Sequence, residues 1–209
     1  MTRGCFITLE GGEGTGKSTQ IGRLAAFLRS RVGEPVVTRE PGGSPGAEQI
    51  RNLVVNGPPE KWSAQTETLL MYAARRDHIE RVIEPALARG DWVICDRFHD
   101  STRAYQGVAG GGDPALIRTL EDHILGRAVP DLTLVLDLPV EEGLARARAR
   151  GEAEGRFEAK GPVFHEALRQ AFLEIAVREP ERCVVINASG SADEVAGRIA
   201  AAVSNRLAL

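Results

Sequence analysis

Five short runs of apolar residues are spread along the 209-residue chain, and segments with helical periodicity lie between them. The runs occupy residues 5–9, 36–38, 92–95, 132–136 and 183–186. They are apolar almost throughout rather than alternating with polar residues, which indicates strands that are buried on both faces. Strands that alternate with helices favour a parallel sheet covered on both sides. The pattern therefore predicts an α/β fold with a five-stranded parallel sheet flanked by helices in three layers.

The composition narrows the class of protein. Apolar residues make up 43% and charged residues 26%, as in an ordinary globular domain, and the net charge of -3 argues against general nucleic-acid binding. No run approaches the about 18 apolar residues of a membrane span. No repeat or linker divides residues 1–209, so we expect a single domain. Cys5, Cys95 and Cys183 lack metal-type spacing, and we interpret them as buried thiols of a cytoplasmic protein.

A glycine-rich loop follows the first run. Residues 11–18 read GGEGTGKS, which matches Gly, four residues, then Gly-Lys-Ser/Thr. Glycines let backbone N–H groups converge on the phosphates of ATP, and the following helix favours an anion at its N-terminus. Lys17 is placed to contact the β- and γ-phosphates, and the Ser18 hydroxyl to reach Mg²⁺. The predicted ATP-binding residues are Gly11, Gly12, Glu13, Gly14, Thr15, Gly16, Lys17, Ser18 and Thr19.

Charged residues follow two other strand-like runs. Asp96 and Arg97 come after the third run, and Arg39 after the second. The carboxyl ends of parallel strands border the ligand crevice, so Asp96 is predicted to hold Mg²⁺ or its water, and both arginines to contact phosphate. The alternatives are an exposed pair that caps a strand and plain turn chemistry in Glu-Pro-Gly-Gly. The chain lacks the Asn-Lys-x-Asp motif of guanine-binding switches and is too short for a typical motor.

Six segments together resemble bacterial thymidylate kinases, a family of P-loop nucleoside monophosphate kinases. They are EGGEGTGKST (10–19), TREPGG (38–43), LMYAAR (70–75), DRFHDSTRAYQG (96–107), PDLTLVLDLPVEEGLARARARG (130–151) and GRFE (155–158). The resemblance spans nearly the whole chain. It implies a P-loop kinase fold and a homodimer that converts ATP and dTMP to ADP and dTDP, with Mg²⁺ bound together with ATP.

Matching motif positions imply roles for individual residues. By this resemblance, Glu13 lies near the sugar 3′ position and the phosphates, while Arg39 and Arg97 hold the acceptor phosphate. Arg75 contacts the thymine edge, and the Tyr105 ring lies beside the deoxyribose, where it would disfavour a 2′-hydroxyl. The remaining substrate-binding positions are Met71, where relatives often have phenylalanine, Ser101, Thr102 and Gln106.

The P-loop contains no arginine, so positive charge for the transition state has to come from elsewhere. Arg146, Arg148 and Arg150 end a predicted helix, and Arg156 follows in a polar loop. We expect a lid at about 143–160 that closes over ATP. The alternative is a basic helix end that only complements the helix dipole. The predicted catalytic residues are Lys17, Asp96, Arg97, Arg150 and Arg156.

Two other functions share parts of this pattern. A deoxynucleoside kinase also has a P-loop and an Asp-Arg pair after a strand, but it phosphorylates a nucleoside. A nucleotide-binding module without turnover would need neither acceptor arginines nor a lid. The monophosphate kinase is the leading hypothesis, because the paired acceptor arginines, the lid and the family resemblance favour it. A phosphate monoester has a second pKa of about 6 and attacks without a general base, so Asp96 is expected to organise metal and arginine rather than to remove a proton.

Overall fold

The computed structural model describes residues 3–58, 60–149, 156–157 and 159–209. Within these ranges, five strands form one all-parallel sheet in the order β2-β3-β1-β4-β5. The strands are β1 (Phe6–Glu10), β2 (Val36–Arg39), β3 (Val93–Asp96), β4 (Leu132–Asp137) and β5 (Cys183–Asn187). The predicted five-stranded parallel α/β fold is therefore confirmed.

Helices connect the strands and cover both faces of the sheet. They are α1 (Lys17–Val32), α2 (Pro45–Val55), α3 (Ala64–His78), α4 (Glu84–Arg89), α5 (His99–Thr102), α6 (Pro114–Ile124), α7 (Val140–Ala149), α8 (Pro162–Arg178) and α9 (Ala192–Leu207). Two π-helical segments, Ile79–Ile83 and Arg103–Val108, continue α3 and α5. No helix in the described ranges is both long enough and apolar enough to cross a bilayer.

Successive residues of the central strands contact opposite helical layers. Ile7 and Leu9 pack with residues of α1 and α9, whereas Phe6 packs with the π-helical segment Ile79–Ile83 and with α4. This alternation is the two-residue period of a strand. Every residue of β1 is buried, because it lies at the centre of the sheet with a helical layer on each side.

The prediction of burial on both faces is wrong for the edge strands. Val37 of β2 is 49% exposed and Val185 of β5 is 44% exposed, because the helical layers do not cover the outer strands completely. In the glycine-rich stretch at 107–113, the second π-helical segment extends to Val108. Pro85 lies where the π-helix changes to α4, in the first turn of that helix, a position at which proline is tolerated.

The carboxyl ends of the inner strands meet at one edge of the sheet. In the parallel register, Asp96 of β3 pairs with Leu9 of β1 on one side and with Arg39 of β2 on the other. The loop at 11–16 leaves β1 at the same edge and leads into α1. The fold therefore brings the glycine-rich loop and the predicted acceptor residues to one crevice.

Candidate active site

The glycine-rich loop lies between β1 and α1 and packs closely against α7. Gly14 has φ +69°, and a Cβ at this position would lie 1.8 Å from the carbonyl oxygen of Gly143. Only glycine fits such an approach without displacing the backbone. Gly16 precedes α1 and has no side chain to cap it, so the first N–H groups of this helix remain available to an anion.

Lys17 bends back over the loop. Its Nζ donates hydrogen bonds to the carbonyl oxygens of Gly11 (3.1 Å) and Gly12 (2.8 Å), and the residue is 8% exposed. Burial lowers the pKa of Lys17 to about 8, and repulsion from Arg97 acts in the same direction. Attraction from Glu13, Asp96 and Glu10 offsets this lowering only in part. The ammonium group is therefore held buried at the point where phosphates are predicted to bind.

Glu13 lies inside the glycine-rich loop and connects this loop to Arg97 and Tyr105, two residues predicted to bind dTMP. Arg97 donates from Nη2 to Glu13 Oε1 (3.1 Å) and from Nη1 to the Gly11 carbonyl oxygen (2.9 Å). The Tyr105 hydroxyl donates to the same Glu13 oxygen at 2.6 Å. Burial alone would raise the pKa of Glu13, but attraction from Arg97 and Lys17 and the Tyr105 hydrogen bond lower it to about 2. Glu13 is thus a fixed anion that positions both Arg97 and Tyr105.

Asp96 ends β3 beside these groups. Its Oδ1 atom is buried and has no hydrogen-bond partner within the described part of the chain, although buried carboxylate oxygens are normally paired. Ser18 lines the same cleft at the start of α1. No cluster of three or more His, Cys, Asp or Glu side chains suited to a metal occurs among the residues described. One carboxylate and one hydroxyl fit Mg²⁺, which keeps waters and binds substrate phosphates.

Arg39 and Arg51 border the same cleft as Arg97. Arg39 donates to Glu48 at 3.0 Å, and Arg51 donates to the Pro41 carbonyl oxygen at 2.7 Å. Burial and repulsion from Arg39 and Arg97 lower the pKa of Arg51. The sequence patterns do not single out Arg51, although it is the first arginine on the helix after TREPGG. A cluster of like charges in a cleft suits a dianionic phosphate.

These groups line one continuous cleft of about 340 Å³, which also includes the residues predicted to bind the base. A family model described as thymidylate kinase matches residues 9–199. The chain is 63% identical over 209 residues to the thymidylate kinase of Caulobacter vibrioides, with 100% of each chain covered. It is 54% identical over 207 residues to that of Bradyrhizobium diazoefficiens, with 98% of this chain and 91% of the relative covered.

A crystal structure of thymidylate kinase from Ehrlichia chaffeensis has a TM-score of 0.78 at 32% sequence identity, covering 96% of this chain and 99% of that chain. This chain belongs to the thymidylate kinase family. The family resemblance predicted from the six sequence segments is confirmed, and with it the P-loop kinase fold.

In this thymidylate kinase, the other predicted substrate-binding residues line the same cleft as the glycine-rich loop. Met71 and Arg75 lie one helical turn apart on α3, and both are buried. The buried Gln106 donates to Glu67 Oε1 at 2.7 Å. Ser101, Thr102 and Tyr105 also line the cleft, and Tyr105 contacts Glu13 of the glycine-rich loop. The structure thus brings together every predicted substrate-binding residue, and their individual roles remain predictions.

The predicted lid of the kinase is described only in part. Arg150 and residues 151–155 and 158 lie outside the described residues. Arg156 does not lie at the glycine-rich loop. It is 4% exposed, forms an ion pair with Glu67, and donates to the carbonyl oxygens of Val54 (3.1 Å) and Pro58 (3.0 Å). A buried guanidinium needs such partners, and its predicted catalytic role is untested by this arrangement.

The next residue, Phe157, lines the cleft, and its ring packs edge-on against the Tyr105 ring at 5.5 Å between centroids. Arg146 pairs with Glu142 at 2.5 Å and donates to the Ala188 carbonyl oxygen at 3.2 Å. This geometry agrees with the alternative that Arg146 stabilises the end of its helix. Thr19 is exposed on α1 and does not border the cleft.

Proposed function

We propose that this thymidylate kinase transfers the γ-phosphate of ATP to dTMP and releases dTDP and ADP. One observation carries the proposal: the glycine-rich loop with Lys17 and the arginines Arg39, Arg51 and Arg97 open into the same cleft. Phosphoryl transfer needs two anionic groups placed end to end with their charges neutralised. A cleft with positive groups on both sides of the transfer position supplies that arrangement.

The donor side consists of the loop amides and Lys17. Backbone N–H groups of residues 12–18 would bind the β- and γ-phosphates, and Lys17 would exchange its two carbonyl hydrogen bonds for phosphate oxygens. Ser18 and Asp96 would hold Mg²⁺, which supplies further charge neutralisation to these phosphates when bound. The unpartnered Oδ1 of Asp96 supports this assignment.

On the acceptor side, Arg39, Arg51 and Arg97 would hold the phosphate of dTMP. An oxygen of this dianion attacks the γ-phosphorus, and the bond to the bridging oxygen of ADP breaks. Because the acceptor is already ionised near pH 7, no residue has to remove a proton. Glu13 would keep Arg97 and Tyr105 in place beside the sugar.

Assembly and location are further parts of this proposal. Leu53 of α2 and Leu69 of α3 are 46% and 48% exposed, and a second copy of the chain would cover them in a homodimer. Cys5, Cys95 and Cys183 are all free thiols, which agrees with a reducing cytoplasm. We also propose a single domain over 1–209 with a lid at about 143–160. Light scattering of Leu69→Glu and the unaltered protein tests the dimer, which the charge is expected to weaken.

A panel assay of ADP release tests the function. We expect turnover with ATP and dTMP, and none with thymidine. Turnover with thymidine but not dTMP would instead identify a deoxynucleoside kinase, and no turnover with any acceptor would identify a binding module. Lys17→Ala is the control, since it should abolish turnover and leave the circular dichroism spectrum unchanged.

A further inference from the structure

A buried series of polar contacts leads from Thr38 on β2 to Arg75 and Thr102, which are predicted to bind the base. Thr38 Oγ1 and His78 Nε2 lie 2.7 Å apart, and His78 Nδ1 and Glu40 Oε1 lie 2.9 Å apart. The other oxygen of Glu40 accepts a hydrogen bond from Nε of Arg75 at 2.8 Å, and Nη2 of Arg75 donates to Thr102 at 3.1 Å. Of these residues, only Arg75 and Thr102 were predicted to bind substrate, and Glu40 and His78 have no role in the mechanism proposed above.

The residues at the centre of this series are almost fully excluded from water. Arg75 is 2% exposed, His78 is 0% exposed and Glu40 is 6% exposed. The guanidinium carbon of Arg75 also lies 4.7 Å from the ring centre of Tyr72 and 5.2 Å from that of Phe98. The two rings that pack against the guanidinium and the hydrogen bond to Glu40 leave the Arg75 side chain little freedom to rotate. Its direction is therefore set before any ligand binds.

Arg75 nevertheless keeps unused hydrogen-bonding capacity. Its Nη1 atom is buried and finds no acceptor among the residues that the structure describes, although Arg75 borders the cleft. A guanidinium carries five N–H donors and no acceptor. A buried donor of this kind indicates that an acceptor is supplied by something else.

We infer that Glu40 and His78 are positioning residues that aim Arg75 at the carbonyl oxygen by which thymine differs from cytosine. The inference rests on the proposed function. Cytosine carries an amino group in place of that oxygen, and a donor facing another donor forms no hydrogen bond. Because His78 holds one oxygen of Glu40, the carboxylate cannot turn, and the other oxygen stays in line with Nε of Arg75.

The two ring nitrogens of His78 allow a matched pair of variants. The amide nitrogen of asparagine can replace Nδ1, so His78→Asn keeps a donor for Glu40 and loses the contact with Thr38. The longer His78→Gln places its amide near Thr38 and loses the contact with Glu40. Both variants remove the same imidazole from the same buried site, so their difference reports the contact with Glu40.

Binding of two ligands, one with the base and one without it, distinguishes a positioning role from a general loss of structure in the site. Calorimetry would give Kd for dTMP and for 2-deoxyribose 5-phosphate, which lacks the base, and steady-state kinetics would give kcat/KM for dTMP and dCMP. For His78→Gln we expect Kd for dTMP to rise about 10-fold, as for one lost hydrogen bond to a charged group. The dTMP preference should fall by a similar factor, with Kd for the sugar phosphate and KM for ATP unchanged. His78→Asn should stay close to the unaltered protein.

Glu40→Asp provides a second test without leaving Arg75 unpaired, because it retracts the carboxylate by one methylene and keeps its charge. We expect the same selective loss of dTMP binding. Equal losses for dTMP and the sugar phosphate, or an unchanged dTMP preference in both His78→Gln and Glu40→Asp, would overturn the inference. If the unaltered protein does not phosphorylate dTMP, the proposed function fails instead, so the two failures are distinguishable.

Discussion

Lys17 is held charged in a buried position that destabilises the protein when no nucleotide is bound. Burial and the neighbouring Arg97 lower its pKa from 10.5 to about 8. At about 1.4 kcal/mol for each pH unit between these values, keeping Lys17 protonated costs about 3 kcal/mol. Lys17→Met removes the charge and keeps much of the apolar chain. It also removes the hydrogen bonds to Gly11 and Gly12, which contribute about 0.5–1 kcal/mol each. We therefore expect Lys17→Met to be inactive and more stable by about 1–2 kcal/mol.

Urea unfolding without nucleotide at pH 7 measures this difference in the free energy of unfolding. The pH dependence provides an internal check, because the folded pKa lies below the unfolded one. The cost of the charge is fully present below pH 8 and disappears as the pH rises to 10.5, so the advantage of Lys17→Met should shrink over that interval. The matched control is Lys61→Met, since Lys61 is exposed and its Nζ also donates to two backbone carbonyls, at 2.9 and 3.1 Å.

For Lys61→Met we expect the free energy of unfolding to be unchanged or lower by up to about 1 kcal/mol, since it loses only surface hydrogen bonds. A Lys17→Met protein less stable than the unaltered protein at pH 7, with Lys61→Met unchanged, would refute the reasoning. It would mean that the hydrogen bonds from Lys17 to the two loop carbonyls stabilise the protein by more than the burial of its charge destabilises it.

Three further predictions concern the loop and the lid. Gly14→Ala should lower the free energy of unfolding by more than about 1–3 kcal/mol in a urea titration, because its Cβ would overlap a carbonyl of α7. Gly12→Ala should be nearly neutral in the same titration, since a Cβ at Gly12 would have nothing within 4 Å. Glu13→Gln should lose stability at pH 7, and the loss should vanish as the pH falls from 4.5 towards 2, because the folded pKa is the lower one. Arg156→Ala should lower kcat at least about 10²-fold, because we expect Arg156 to neutralise charge in the transition state. The control is Arg148→Ala, since Arg148 is exposed. A lower melting temperature with unchanged kcat would assign Arg156 to structure alone.

The strands and the glycine-rich loop could be predicted because their signals are local. Apolar runs of strand length and glycines at fixed spacing act over a few residues, and the sheet and the loop that precedes α1 follow from them. The order of the carboxyl ends then placed Arg39, Asp96 and Arg97 at one crevice, as expected for a parallel sheet. The edge position of β2 was not predictable from its own residues, because it depends on which strands pair.

Other features depend on contacts between residues far apart in the chain. Arg51 was overlooked because a single arginine on a helix has no distinctive local pattern, and only packing brings it beside Arg39 and Arg97.

The sequence by itself determined the α/β class, the phosphate loop and the family, since each rests on short-range periodicity or spacing. Only the tertiary structure decided that Arg156 pairs with Glu67 and that His78 holds Glu40 against Arg75. Buried charges select partners by distance and exclusion from water, and neither quantity exists until the chain has folded.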